Sequence, residues 1–330
     1  MSMLIDIEGK YADQASIGAE DTAAAREMIG KIISNIETVI KGKHNQVEMV
    51  VMCLLAEGHV LIEDVPGVGK TSLVSSLAAT IDCGYQRIQF TPDVMPSDIS
   101  GFSIYNQKSG EFEYRRGAAL SNIILADEIN RASAKTQSAM LEIMAERQVT
   151  VDGNTYKMDR PYMVLATQNP IDSLGTYKLP EAQIDRFMVK ISLGYPEVMD
   201  ELAVILSGEK SKAEISPVTR GSDICTLIEM AKNVAVSESV GLYIVNLVQS
   251  TRSHPDVMLG ASPRGSIALN ALSRAWALYQ GRSYVTPDDI KYLAPYVLGH
   301  RLILTNAAKN SGRTAEDIIN VLLGQIVVPA

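Results

Sequence analysis

A short segment with two glycines follows an apolar run in the first quarter of the chain. It reads EDVPGVGKT at positions 63–71, and a helix is predicted to start at Lys70. A phosphate-binding loop needs glycines that let phosphates approach, and a helix N-terminus behind them. It also needs a lysine that reaches the β- and γ-phosphates and a hydroxyl for Mg²⁺. Lys70 and Thr71 have those side chains, so the segment predicts a nucleoside triphosphate site with Mg²⁺.

The segment departs from the common pattern G-x-x-x-x-G-K-[ST] in one place. Asp64 stands where the first glycine is expected, while Gly67 and Gly69 remain. The alternative is a Gly-Pro turn that precedes a lysine by chance. The order of strand, loop and helix favours the phosphate-binding loop.

An acidic pair ends a second apolar run. The residues from Ile123 to Ala126 lead into Asp127 and Glu128. A carboxylate at the end of such a strand can hold the shell of Mg²⁺, and its neighbour can orient or deprotonate an attacking water. The alternative is an ordinary acidic strand end or a helix cap. The coincidence with a phosphate-binding loop favours the catalytic interpretation.

A polar cluster, ATQNP at positions 166–170, follows a third apolar run. Open α/β sheets bind ligands at the carboxyl ends of their strands. Asn169 is therefore a candidate for contact with the γ-phosphate or the attacking water. A turn cap before Pro170 is the alternative.

Elements that would position these residues alternate along the first part of the chain. Short apolar strands between helices indicate a parallel sheet covered on both faces, with strands near 59–63, 121–126 and 161–167. Two hairpins are predicted, at about 101–116 and 148–158, the second around an Asp-Gly turn. The pattern after residue 196 is helical, with N-caps at Ser237, Ser262, Thr286 and Thr314. We therefore predict an α/β domain over 1–195 and a helical domain over 196–330.

Composition excludes several other classes. The chain has 330 residues, 46% of them hydrophobic, and a formal charge of −8 without a long basic tract. That charge argues against general nucleic-acid binding. Cys53, Cys83 and Cys225 are too scattered for a disulfide framework or a zinc site, and the four histidines are read as structural. No apolar run approaches the roughly 20 residues of a membrane helix, so we expect a cytoplasmic protein that does not span a membrane.

Six segments together carry a specific resemblance that spans most of the chain. The chain resembles the MoxR-type AAA+ ATPases. The matching segments, in the family's order, are LIEDVPGVGKT (61–71), FTPDVMPSDISG (90–101), ADEINRA (126–132), ATQNP (166–170), LPEAQIDRF (179–187) and GASPR (260–264). This family tolerates a residue other than glycine at the position of Asp64.

The resemblance implies an AAA+ P-loop NTPase core with a parallel sheet between helices, followed by a small all-helical lid domain. ATP would lie between core and lid with Mg²⁺, the metal being held by Thr71 and Asp127. Glu128, Asn169 and Arg186 would be catalytic, as water-positioning glutamate, first sensor and arginine finger on a neighbouring subunit. The nucleotide-binding set implied by the resemblance is Pro66, Gly67, Val68, Gly69, Lys70, Thr71, Ser72 and Asp127, with Arg264 of the lid as second sensor.

The resemblance also implies assembly and biological role. It implies a homo-oligomeric ring, expected to be a hexamer, and a von Willebrand factor A domain protein as partner. The role would be chaperone-like, in maturation of protein complexes or insertion of metal cofactors. The two hairpins would be the helix-two and pre-sensor inserts, and Arg131 is a further candidate for a subunit interface.

Other functions stay open at this point. ADEINRA also resembles a restriction-enzyme GTPase, so a nucleic-acid-stimulated or GTP-using motor is one alternative. A regulatory module that binds nucleotide with negligible turnover is another, although Lys70, Thr71, Asp127 and Glu128 are all present. A small-molecule kinase would leave the helical region and Arg264 unexplained.

Overall fold

The computed structural model describes residues 17–170, 177–207 and 215–329. The two predicted regions, 1–195 and 196–330, therefore each include some residues that the structure does not describe. The strands of the described residues are β1 Val60–Glu63, β2 Tyr85–Gln89, β3 Gly101–Asn106, β4 Glu111–Arg116, β5 Ile123–Asp127, β6 Gln148–Val151, β7 Asn154–Lys157, β8 Met163–Gln168, β9 Val189–Ile191, β10 Val257–Leu259 and β11 Ile303–Leu304. The helices are α1 Ala19–Glu37, α2 His44–Leu55, α3 Lys70–Thr80, α4 Pro96–Ser100, α5 Ala134–Glu146, α6 Glu181–Ile184, α7 Val198–Ser207, α8 Gly221–Lys232, α9 Glu238–Ser253, α10 Pro263–Tyr279, α11 Pro287–Leu298, α12 Asn306–Asn310 and α13 Ala315–Gln325.

A five-stranded parallel sheet in the order β2-β5-β8-β1-β9 forms the centre of the first region. The three inner strands are almost wholly apolar and buried, as the sequence predicts for a sheet with both faces covered. Their bounds differ from the prediction by one or two residues. Since all strands are parallel, their carboxyl ends meet at one edge, which we call the carboxyl edge; the other is the amino edge.

The two outer strands, β2 and β9, were not predicted. β2 reads YQRIQ and has one buried residue, Ile88, while β9 has three residues. Edge strands bury less of their surface than inner ones, so neither has the continuous apolar run by which the inner strands were recognised. Two side chains of the candidate functional site belong to β2.

Two antiparallel hairpins occupy the ranges in which the sequence predicts them. β3 pairs with β4 from Gly101↔Arg116 onward, and β6 pairs with β7. Asp152 and Gly153 join β6 to β7 with φ of 49° and 79°, the left-handed values that an Asp-Gly hairpin turn requires. The hairpins touch each other through stacked rings of Tyr114 and Tyr156, whose centroids lie 4.1 Å apart.

Helices dominate the second region, from α7 to α13. Ser237, Ser262 and Thr314 cap their helices by accepting hydrogen bonds from backbone N–H groups one turn in, as predicted. A short antiparallel pair, β10 with β11, also lies in this region and was not predicted. None of the helices in the described ranges has the length and apolar character that crossing a membrane requires.

The helical region packs directly against the sheet region. Ile36 and Met52, on α1 and α2, belong to the same buried hydrophobic cluster as Leu272 and Leu293, on α10 and α11. A second cluster lies on the other face of the sheet, around Phe90 and Leu141. Because the first cluster runs through both regions, the predicted boundary near residue 195 stays a prediction.

Candidate functional site

The glycine-containing segment forms a loop between β1 and the N-terminus of α3. Gly67 and Gly69 have φ of 86° and 91°, a backbone conformation that glycine adopts without strain. Gly69 is the N-cap of α3, and the Lys70 ammonium donates to the carbonyl of Asp64 at 3.0 Å. The first turn of a helix has N–H groups without intrahelical acceptors, so the loop presents donors of the kind that bind phosphate.

The Asp64 side chain holds this loop in place through hydrogen bonds. Its buried carboxylate accepts hydrogen bonds from the backbone N–H of Leu193 at 2.5 Å and of Gly194 at 2.9 Å. It also accepts from the Ser192 hydroxyl at 3.2 Å and from the N–H of Val65 at 3.0 Å. An aspartate in place of glycine therefore ties the loop to the segment that follows β9.

Asp127 is the last residue of β5 and is held by two donors. One oxygen accepts from the Thr167 hydroxyl at 2.6 Å. The other accepts from the Arg87 guanidinium, at 2.6 Å from Nη2 and 3.2 Å from Nε. Charge-assisted hydrogen bonds of this kind fix orientation, so the carboxylate has one defined direction.

Glu128 follows in a left-handed backbone conformation, with φ 56° and ψ 47°. For a residue with a side chain this conformation costs about 1–2 kcal/mol, and such strain concentrates at functional sites. The N–H of Glu128 donates to Thr167 Oγ1 at 2.9 Å. Its carboxylate accepts from the Gln89 amide at 3.1 Å and from Arg131 Nε at 2.8 Å.

The sheet topology brings these groups to the carboxyl edge. β1 and β5 are the two neighbours of β8, so the ends of β1 and β5 lie about 10 Å apart. Lys70 follows β1, Asp127 ends β5, and Asn169 follows β8 between them. The Gln168 amide donates to Glu63 at 2.9 Å across the gap from β8 to β1. A triphosphate has the length to span this distance.

The oxygen donors at this edge fit Mg²⁺. Mg²⁺ takes one or two carboxylates, several waters and substrate phosphates in nucleotide sites. Thr71, exposed in the first turn of α3, and Asp127 are a hydroxyl and a carboxylate of the required kind. The described ranges contain no group of three His, Cys, Asp or Glu side chains that could hold a metal without a ligand. The phosphates would therefore complete the coordination.

Arg264 lies at the amino edge instead. Its guanidinium is 3.7 Å from the carboxylate of Asp185. Arg301 binds the same carboxylate at 3.0 Å and the carbonyl of Met188 at 3.1 Å. The N–H of Met188 donates to the carbonyl of His59, just before β1. The length of β1, about 13 Å, therefore separates Arg264 from the phosphate-binding loop.

Arg186 lies next to Asp185 and so belongs to the same part of the molecule. Its Nη1 donates to the carbonyl of Leu141, in the middle of α5, at 2.7 Å. One chain therefore brings together Lys70, Asp127, Glu128 and Asn169, and it does not bring Arg186 or Arg264 to them. The sequence interpretation placed ATP between core and lid with Arg264 among its ligands; in this structure Arg264 contacts Asp185, and its role at the nucleotide stays a prediction.

Three side chains at the carboxyl edge were missed from the sequence: Arg87, Gln89 and Thr167. Arg87 and Gln89 lie on β2, which was not recognised as a strand. Thr167 lies in the segment ATQNP, from which only Asn169 was predicted as a site residue. The available signal was the alternation of Arg87, Ile88 and Gln89, which places the two polar side chains on one face of a strand.

Comparisons with known proteins agree with this geometry. The model of the ATPase family associated with various cellular activities (AAA) matches residues 59–189, and that of the AAA lid domain matches residues 249–321. The chain is 51% identical to the uncharacterized protein YeaC of Bacillus subtilis, over 92% of this chain and 95% of that protein. It is 41% identical to Chaperone MoxR1 of Mycobacterium tuberculosis, over 94% of this chain and 85% of the relative.

A solved structure shows the same fold. It is the crystal structure of a candidate ATPase from Cytophaga hutchinsonii, 40% identical in sequence, with a TM-score of 0.88. The match covers 94% of this chain and 98% of the other. The fold and the phosphate-binding edge thus define an AAA+ protein. Within that class, the chain belongs to the MoxR family of AAA+ ATPases.

Proposed function

We propose that the chain binds ATP with Mg²⁺ and hydrolyses it, as the motor of a ring-forming, chaperone-like MoxR ATPase. One observation carries the proposal: the N-terminus of α3 with Lys70 shares the carboxyl edge of the sheet with Asp127 and Glu128. An N-terminal helix dipole and an ammonium attract a polyanion, while the carboxylates attract a metal and a water. Together these groups suit hydrolysis of a nucleoside triphosphate.

The residues of the loop and of β5 have separate tasks in this proposal. Lys70 and the first N–H groups of α3 hold the β- and γ-phosphates, with the segment from Pro66 to Ser72 wrapped around them. When bound, Mg²⁺ would offset the charge of the phosphates, and Thr71 and Asp127 would hold it. Arg87 and Thr167 keep Asp127 in one direction.

Glu128 prepares the attacking water. Its left-handed backbone turns the side chain away from the direction of β5, and Gln89 and Arg131 hold the carboxylate at the sheet edge. From there the carboxylate orients the water and accepts its proton as the bond to the γ-phosphorus forms and the bond from that phosphorus to the oxygen of the leaving ADP breaks. Asn169, at the end of β8, would contact the same water or the γ-phosphate.

A ring supplies the cations that one chain lacks. Arg264 contacts Asp185 near the amino edge and Arg186 contacts the middle of α5, so we assign both to the nucleotide of a neighbouring chain. An arginine added from a neighbour contributes about 10³–10⁵ in the rate of phosphoryl transfer. We propose a homo-oligomeric ring, a hexamer, in which both arginines face the next subunit's γ-phosphate.

The biological role is proposed from the relatives. One of them is named as a chaperone, MoxR1. We propose that nucleotide turnover changes the angle between the sheet region and the helical region, and that the ring thereby remodels a client protein. Maturation of protein complexes or insertion of metal cofactors, with a von Willebrand factor A domain partner, is the form of this role that the family resemblance favours.

Substitution of Glu128 tests the hydrolytic proposal. We expect Glu128→Gln to bind ATP with unchanged affinity and to turn it over about 10²–10⁴ times more slowly. The exposed Glu142→Gln on α5 is the matched control and should behave as the wild-type chain. Phosphate release should be measured with ATP and GTP side by side. Wild-type turnover by Glu128→Gln would remove Glu128 from the mechanism.

Mixed rings test the contribution from a neighbour. Lys70→Ala and Arg186→Ala should each be inactive, and mixing them should restore activity, because some interfaces then pair an intact loop with an intact Arg186. Lys70→Ala mixed with Glu128→Gln is the control, since no interface of that ring contains a complete site. Equal activity in both mixtures, with ring composition verified by mass, would contradict action across subunits.

A further inference from the structure

A crevice lies at the amino edge of the sheet, where the end of α2 meets α5, α8 and α10. Its volume is about 320 Å³. Three cationic side chains and one carboxylate line it: Arg147, Lys232, Arg274 and Glu57. Since the phosphate-binding loop lies at the other end of β1, about 13 Å away, this crevice is separate from the triphosphate site.

Glu57 cannot balance all of this charge. Its carboxylate already accepts from Arg147 at 2.9 Å, from Lys232 at 2.7 Å and from Arg160, which stands outside the crevice, at 3.0 Å. Glu229, also outside the crevice, binds Arg160 and Lys232. These five side chains form a closed ion-pair cluster, and Arg274 is not part of it.

Among the described residues, Arg274 is the crevice cation with no carboxylate partner. Its guanidinium donates to the carbonyl of Lys232, and its Nε is buried with no acceptor. Burial alone lowers the pKa of its guanidinium, with no carboxylate opposing that shift. A partly buried charge of this kind is costly unless something of opposite sign is bound.

We propose that this crevice is an anion site that takes a phosphate group, either inorganic phosphate or the phosphoryl group of a small metabolite. The guanidinium of Arg274 suits a tetrahedral oxyanion, which accepts two parallel N–H bonds from it. Lys232 adds an ammonium at the rim. Asn270, one helical turn before Arg274 on α10, adds an amide N–H to the lining.

The dimensions limit the ligand. A volume of about 320 Å³ is at the low end of small-molecule sites, which leaves room for a phosphate and a few carbon atoms. The walls come from both regions of the chain, with Arg147 on one side and Lys232 and Arg274 on the other. A bound anion therefore ties α10 to the end of α5, and binding should stabilise the folded chain by mass action.

The test is thermal unfolding of the full chain during titration with sodium phosphate, with ionic strength held constant by chloride. The Lys70→Ala background weakens phosphate binding at the loop, and the single tryptophan, Trp276 on α10, reports unfolding. We expect the Tm to rise with phosphate in this background. Arg274→Gln added to it should weaken the effect about tenfold or more, as loss of a charge-assisted pair implies.

Two controls keep the result specific to the crevice. Arg115→Gln, on exposed β4, removes the same charge and should leave the phosphate effect unchanged. If Arg274→Gln does not fold, Lys232→Gln takes its place, because Lys232 is exposed and its replacement should weaken phosphate binding in a folded chain. A phosphate effect that survives substitution of both Arg274 and Lys232 would overturn the proposal, as would no Tm change with phosphate in Lys70→Ala.

Other anions identify the source of the phosphate group. Glycerol 3-phosphate that binds more tightly than inorganic phosphate would assign the site to a phosphorylated metabolite, and equal or weaker binding would assign it to free phosphate. Acetate that matches phosphate would overturn the assignment, because the site would then recognise charge alone.

Discussion

The two edges of the central sheet handle charge in opposite ways. At the carboxyl edge, Asp127 and Glu128 are paired with the partly exposed guanidinium groups of Arg87 and Arg131, 47% and 38% exposed. At the amino edge, the carboxylate of Glu57 is 16% exposed and binds three cations that come from two regions of the chain. The cations are comparably exposed at both edges; one edge has separate ion pairs, and the other has a cluster of three cations around one carboxylate.

The difference indicates where ligand chemistry and where stability reside. Partners that solvent reaches can be exchanged for phosphate, metal or water with little change in packing. A cluster that joins α2, α5 and α8 fixes how the helical region sits on the sheet. We therefore expect substitutions at the carboxyl edge to change nucleotide chemistry, and substitutions in the Glu57 cluster at the amino edge to change the free energy of unfolding.

Lys70→Ala should have the largest effect at the carboxyl edge. Loss of the ammonium removes charge-assisted bonds to two phosphates, and ATP affinity should fall about a hundredfold. The Tm without nucleotide should change little, since the Lys70 ammonium donates to a single backbone carbonyl, that of Asp64. Calorimetric titration with ATP measures the affinity, with the exposed Lys31→Ala as control. A large loss of stability with unchanged affinity would reverse the contrast between the edges.

His59, at the amino edge, should make stability depend on pH. Its buried ring bridges the carbonyl of Met144 and the N–H of Val164, each at 3.0 Å, and burial lowers its pKa from 6.5 to about 4. Because folding lowers this pKa, neutral His59 makes its full contribution to the free energy of unfolding above pH 6.5. That contribution is lost as the pH falls towards 4. For His59 alone the free energy of unfolding should drop by about 2 kcal/mol between pH 7.5 and 5.

Urea unfolding at these two pH values checks the size of this drop. Burial and Arg301 also lower the pKa of His300 well below its usual range, so the whole chain should lose more than His59 contributes. His59→Gln should therefore show a smaller pH dependence than the wild-type chain, and His254→Gln, at a half-buried position, should match the wild type. An unchanged pH dependence in His59→Gln would contradict the assignment.

Arg87→Gln should have an intermediate effect at the carboxyl edge. Without the guanidinium, Asp127 keeps one donor, Thr167, and its direction is less restricted. We expect turnover to fall about tenfold, as for loss of one charge-assisted contact, and the Mg²⁺ concentration for half-maximal rate to rise. Arg87→Lys, which retains the charge, should recover part of the rate. Lower turnover with an unchanged Mg²⁺ requirement would show that Arg87 acts elsewhere.

The sequence predicted those parts of the site that are adjacent along the chain. Lys70 and Thr71 lie just after the loop that follows one predicted strand, and Asp127 and Glu128 stand at the end of another, so the apolar runs locate these residues. Arg87 could not be found in this way, because β2 has one buried residue and its partner Asp127 is forty positions away. Contacts between distant segments depend on the sheet order, which periodicity does not give.

The amino edge was beyond sequence reasoning for the same reason. Glu57 and Arg147 are 90 positions apart and pair only because α2 and α5 both end at this edge. Both residues have positive φ, 54° and 51°, at helix ends where glycine is usual. The position of Arg264 follows from its contact with Asp185, which the motif GASPR does not disclose.

Glu57→Gln should have the smallest of these effects on the protein. It tests the contrast between the carboxyl edge and the amino edge of the sheet. Burial opposes ionisation of Glu57, but the hydrogen bond from Lys232 and the charges of Arg147 and Arg160 outweigh it and lower its pKa. A lowered carboxyl pKa contributes stability above about 4.5 that is lost as the pH falls through the lowered value.

Because the three cations are partly exposed, the loss at pH 7 should be about 1 kcal/mol, and it should shrink as the pH falls below 4.5. Turnover at saturating ATP should stay at the wild-type rate. Glu229→Gln, which removes the exposed carboxylate of the cluster, should cost less than Glu57→Gln. A Glu57→Gln chain with full stability and impaired turnover would mean that this cluster acts on the nucleotide site through the helical region.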